Sequence, residues 1–135
     1  MARGLTAYLK RENVPDRAAL QQAISALKLP LSVDDSYEPF ATSGYLPCTF
    51  DGEDAGFNLS FKDTADAPPE LKSEIGERDT AMTLKGGGDP REEAATLIVC
   101  AALAQSFDAV VAETGTAKLL AAGELVAKAK AAEAY

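Results

Sequence analysis

The sequence predicts an α+β fold: one two-layer domain spanning residues 1–135, with a mixed, largely antiparallel sheet of about five strands covered by helices. Three observations predict it. A hydrophobic content of 47% with 25% charged residues belongs to a globular chain, and 135 residues suffice for one sizeable core. Segments alternating with a period of two are interleaved with segments at helical spacing. No internal repeat, linker or low-complexity stretch divides the chain.

The elements follow in chain order. Leu5 to Lys10 reads as a strand ending in charges. Pro15 opens a helix through about Leu27, with Val14, Ala18, Leu20, Ala23, Ile24 and Leu27 at helical spacing. Pro30 closes the connection, and Leu31 to Asp34 forms a short strand. Asp35 to Ala55 is irregular, punctuated by Pro39, Gly44, Pro47 and Gly52. It is longer than a structureless connection in a compact domain, so it hides strand pieces or forms a functional loop. Phe57 to Phe61 alternates cleanly, with Phe57, Leu59 and Phe61 facing inward. Pro68-Pro69 starts a short helix over Glu70 to Ile75 that Gly76 ends, and Thr80 to Leu84 is another strand. Asp89 as N-cap, Pro90 at the first helical position and Glu92 completing a capping box start a helix reaching about Phe107. Residues 94–104 are apolar apart from Thr96, which predicts the central buried helix. Asp108 turns the chain into a strand at Ala109 to Ala112. A last helix covers Gly123 to about Ala134, with Leu125, Val126 and Ala129 inward and Lys128, Lys130 and Glu133 toward water.

Several chemistries are excluded. The chain has no histidine, which removes Ser-His-Asp and Cys-His nucleophilic sites and the usual zinc sites. Its two cysteines, Cys48 and Cys100, lack metal-ligand spacing and are too few for a disulfide scaffold. Met1-Ala2-Arg3-Gly4 leads into no apolar signal segment, and no apolar run reaches the ~20 residues of a membrane span. A cytoplasmic protein with reduced thiols is expected. Gly86-Gly87-Gly88 precedes a helix start, where backbone N–H groups can cradle an anion. It matches neither nucleotide-binding glycine pattern, and Asp89 would repel phosphate. Asp51-Gly52-Glu53-Asp54-Ala55-Gly56 has the look of a calcium loop, but its fifth position is Ala55 and its twelfth Lys62, so an EF-hand is rejected. No catalytic residue, cofactor or metal is expected.

The charge is unevenly spread. Of a formal net −8, the stretch from Asp34 to Asp79 holds twelve acidic and three basic residues, and the remainder is nearly balanced. Asp34 to Asp54 carries six acids and no base, interleaved with Tyr37, Phe40, Tyr45 and Phe50. Nucleic acid is disfavoured, because phosphates require Lys and Arg. A basic protein partner is favoured, since opposite fields speed encounter. Aromatic anchors within a charged rim make Asp34, Asp35, Tyr37, Glu38, Phe40, Tyr45, Asp51, Glu53 and Asp54 the expected contact residues. A plain solvated acidic loop would carry the same charges.

Two segments resemble a small family of bacterial α/β proteins encoded beside interbacterial toxins. One is Gly44-Tyr45-Leu46-Pro47-Cys48 through Asp51-Gly52-Glu53-Asp54-Ala55-Gly56-Phe57. The other is Ile75-Gly76-Glu77-Arg78-Asp79 with Gly87-Gly88-Asp89 and the alanine-rich helix to Asp108-Ala109-Val110-Val111. The resemblance implies an immunity role, binding a cognate toxin and blocking it. Two other readings compete: a small enzyme or nucleotide-binding domain using the Gly86–Gly88 turn, and a homodimer packed through the aromatics of residues 37–50.

Overall fold

A computed structural model describes residues 4–65 and 67–133 of the chain. Met1 to Arg3, the expected helix end at Ala134 and the Glu133 side chain lie outside the described residues. The fold is α+β. Its strands are β1 (Leu5–Leu9), β2 (Leu31–Val33), β3 (Gly44–Leu46), β4 (Cys48–Phe50), β5 (Glu53–Asp54), β6 (Phe57–Lys62), β7 (Thr80–Lys85), β8 (Val110–Glu113) and β9 (Leu119–Leu120). The helices are α1 (Arg17–Ala26), α2 (Lys72–Ile75), α3 (Pro90–Ser106) and α4 (Ala122–Glu133).

A six-stranded sheet runs β3-β6-β7-β1-β8-β9, and a three-stranded sheet runs β2-β4-β5. All of these pairings are antiparallel, where one mixed, largely antiparallel sheet of about five strands was expected. Strand β1 is buried along its whole length because it lies between β7 and β8 and both of its faces are covered. Leu5, Ala7 and Leu9 belong to the main core. Tyr8 points the other way, into a smaller cluster with Leu71, Ile75, Ala81 and Ala112 under the α2 segment.

Helix α3 crosses the main core, packing on α1, α4 and the sheet. Ala94, Ala95, Ala101 and Ala102 are all buried, and these small side chains let neighbours approach on several sides. The helix starts as expected, with the Asp89 carboxylate accepting from the Arg91 N–H at 2.8 Å and Pro90 in the first turn. Helix α1 starts later than Pro15: Asp16 is its N-cap, accepting from the Ala19 N–H at 2.8 Å.

The stretch expected to hide strand pieces is largely a bent hairpin. Gly44, Tyr45 and Leu46 pair with Leu59, Asn58 and Phe57, and the same register continues into Thr49 opposite Asp54 and Phe50 opposite Glu53. The ladder breaks only at Pro47, which has no N–H to donate. It resumes where the Ala55 N–H donates to the Cys48 carbonyl at 2.9 Å. At the tip, Asp51 (φ 53°) and Gly52 (φ 83°) are both left-handed, which is the geometry of a type I′ turn. One ribbon therefore contributes β3 and β6 to the large sheet and β4 and β5 to the small one.

A candidate docking face on the bent hairpin

Side chains alternate along the whole ribbon. Leu46, Cys48 and Phe50 on the outgoing arm, and Ala55, Phe57 and Leu59 on the returning arm, are buried. Tyr45, Pro47, Thr49, Asp54 and Asn58 are exposed on the opposite face. Register places Ser32, Thr49 and Asp54 in one row across the small sheet. Asp34 follows directly, its N–H donating to the Pro47 carbonyl at 3.2 Å.

These residues line an open cleft of about 410 Å³, with Asp34, Asp35 and Asp54 as its acids and Arg17 as its one base. Arg17 is held from below, its Nε donating to the Val33 carbonyl at 3.0 Å and lying 3.5 Å from Asp35. Gln21 clips the free edge of β2 beside it. Its amide donates to the Leu31 carbonyl at 2.9 Å and accepts from the Val33 N–H at 2.8 Å. This side-chain imitation of a neighbouring strand satisfies an edge that would otherwise stand unpaired. At Asp34, hydrogen bonds from the Ser36 side chain and backbone hold the carboxyl below the usual carboxylate range, and attraction to Arg17 adds to this. The carboxylate is thus kept charged at the mouth of the cleft.

The nine expected contact residues divide. Asp34, Asp35 and Asp54 converge on the cleft, and Tyr45 lies on the same face of the ribbon. Asp51 and Glu38 are exposed, at the hairpin tip and in the preceding loop. Glu53 is engaged by Arg91 at the start of α3. Tyr37 does not face solvent: it is 2% exposed, and its hydroxyl donates to the Pro15 carbonyl at 3.0 Å. Phe40 is half-buried, its ring centroid 5.3 Å from that of Phe61 and capped by the Arg11 guanidinium at 3.9 Å. Phe50 is also in the core. Two of the four aromatics that a homodimer would share are thus internal, and Tyr45, at 58% exposure, is the open one. Arg17, Ser32, Pro47 and Thr49 were missed as site residues. The Asp51-Gly52 turn was the signal for Pro47 and Thr49, since a two-residue hairpin fixes which residues stand opposite each other. Arg17 on α1 and Ser32 on β2 are brought there by tertiary packing that carries no local signal.

The remaining features are filled or inert. At the triple-glycine turn the Glu92 carboxylate accepts from the Gly87 N–H at 2.6 Å, so an internal anion sits where a phosphate would. The box closes on Gly87 rather than on the N-cap Asp89. Cys48 backs the cleft, but burial pushes its thiol up to about 12, as it does for Cys100, so neither is a ready thiolate. A second open groove, of about 590 Å³, mixes Lys10 and Arg11 with Glu12, Glu77 and Asp79 beside Phe40, and Asp79 already accepts from the Arg11 N–H at 2.8 Å. Among the described residues no three potential metal ligands are grouped, and no helix is long and apolar enough to cross a membrane. No family model matches the chain, and neither a curated protein nor a solved structure matches it.

Proposed function

We propose that the protein is a non-catalytic binding protein of the immunity type, which neutralises a basic toxin by docking it on the outer face of the bent hairpin. The convergence of Asp34, Asp35 and Asp54 on one open cleft supports this reading, because only Arg17 opposes their charge there. Such a field steers a basic partner into encounter and disfavours acidic ones. A partner seated on the ribbon would have its own basic surface covered, and its substrate would be excluded by occupancy. The rigid backing of the face supports the same reading, since a preformed surface loses little entropy on docking. Co-purification with the product of the adjacent gene tests it. The wild-type chain is expected to retain that product and block its activity. The triple variant Asp34→Lys/Asp35→Lys/Asp54→Lys is expected to do neither. Retention unchanged by the triple reversal would refute the proposal.

A further inference from the structure

Tyr45 gives the docking face a chemical preference, and the inference rests on the docking reading above. Its phenol end lies over Gly56: a Cβ built on that glycine would stand 2.3 Å from the Tyr45 Cζ and hydroxyl oxygen. The missing side chain is therefore the seat of the ring, which holds it across the ribbon while leaving it 58% exposed. A braced, exposed tyrosine is a low-entropy anchor. Asp54 is the next same-face position after Gly56, on the side toward the cleft, and such positions on a strand are about 7 Å apart. A planar cation suits this arrangement, stacking on the ring while its N–H groups fork onto a carboxylate. An ammonium finds the same charge but not the same stacking fit.

We infer that the Tyr45–Asp54 strip of the hairpin seats an arginine side chain presented by a basic protein partner. A second copy of this chain is a poor source of that guanidinium. Among the described residues, Arg11 lies on Phe40, Arg17 holds the Val33 carbonyl, Arg78 grips Asp108 and Arg91 engages Glu53. A formal net charge of −8 also opposes the docking of a second copy on an acidic face, so the occupant is a different protein whose charge complements Asp34, Asp35 and Asp54.

The test titrates ¹⁵N-labelled protein with hexa-arginine and hexa-lysine, peptides of equal charge, and follows backbone amide shifts. Hexa-arginine is expected to bind roughly threefold to fivefold more tightly and to move the amides of Tyr45, Thr49, Asp54 and Asn58. Tyr45→Phe should keep the preference. Tyr45→Ala should erase it while leaving hexa-lysine binding unchanged. Equal affinities in the wild type, or a preference that survives Tyr45→Ala, overturn the arginine seat. If the peptides bind equally and Asp34→Lys/Asp54→Lys abolishes both, the arginine seat falls and the docking reading stands. If neither peptide moves the hairpin amides, both fall.

Discussion

Tyr37 and Tyr45 sit in the same acidic, aromatic stretch and have opposite fates. One is locked into the core by a hydrogen bond to Pro15, and the other is braced on the surface by a glycine. Composition cannot separate them. Tyr45 is turned outward by the register of β3 against β6, which is set at a turn several residues away. Tyr37 lies in the loop between β2 and β3 and is buried where its hydroxyl reaches Pro15. Gly56 shows how tight the bracing is. A methyl group there would meet the Tyr45 ring and would also stand 2.7 Å from the Leu46 carbonyl oxygen, a backbone atom that cannot swing aside. Gly56→Ala is therefore expected to cost about 1–3 kcal/mol in a urea unfolding titration. An unchanged midpoint would mean that the ring and the Leu46 peptide are not packed as described.

At the scale of elements, strong patterns were legible and interrupted ones were not. The Phe57 segment places Phe57, Leu59 and Phe61 at alternate positions, Thr80 to Leu84 is a strand-length run ended by Lys85 and the glycines, and Asp89-Pro90 announces α3, so these were read close to their observed bounds. The hairpin was hidden because Pro47 and Gly56 fall opposite each other, where one arm lacks an N–H and the other lacks a side chain. Strand β9 is only two residues long and carries no periodicity to read. The clip on β2 was beyond sequence reading, since Gln21 looks like any polar residue on a helix. Its removal has a local signature. Gln21→Ala should cost about 1–3 kcal/mol by leaving part-buried backbone groups of Leu31 and Val33 unpaired. It should also speed amide exchange at Val33 far more than at Leu84 in the large sheet. Uniform acceleration at both sites would point to general destabilisation instead.

Across the whole molecule, the hairpin of residues 44–57 and the segments of residues 75–79 and 87–111 do different physical work. The first presents the exposed face. The others form a structural tie: the Arg78 guanidinium donates to the carbonyls of Glu74, Ile75 and Asp108, joining the end of α2 to the turn after α3. The core leaves its own mark on pH dependence. Burial holds both thiols up to about 12, against ~8.5 in an unfolded chain. Below ~8.5 both states keep the proton, so the thiols give stability no slope. Above it the unfolded chain ionises while the folded one does not, and stability falls by up to about 1.4 kcal/mol per pH unit for each thiol. Thermal melts between pH 8 and 10 should therefore fall more steeply for the wild type than for Cys48→Ala/Cys100→Ala. Parallel slopes would contradict the thiol burial.

The acidic excess that stands out in the sequence narrows in the fold to three aspartates lining one cleft, Asp34 and Asp35 after β2 and Asp54 on the hairpin, with Tyr45 on the same face of the hairpin as Asp54. The central claim is that this face docks a basic protein, and an affinity measurement against the product of the adjacent gene tests it most directly. With the wild type compared to Asp34→Lys/Asp54→Lys by surface plasmon resonance, the expected result is a loss of about 100-fold or more, with a wild-type association rate that falls as salt is raised. Equal affinities for the two proteins, or a wild-type association rate indifferent to salt, would contradict it.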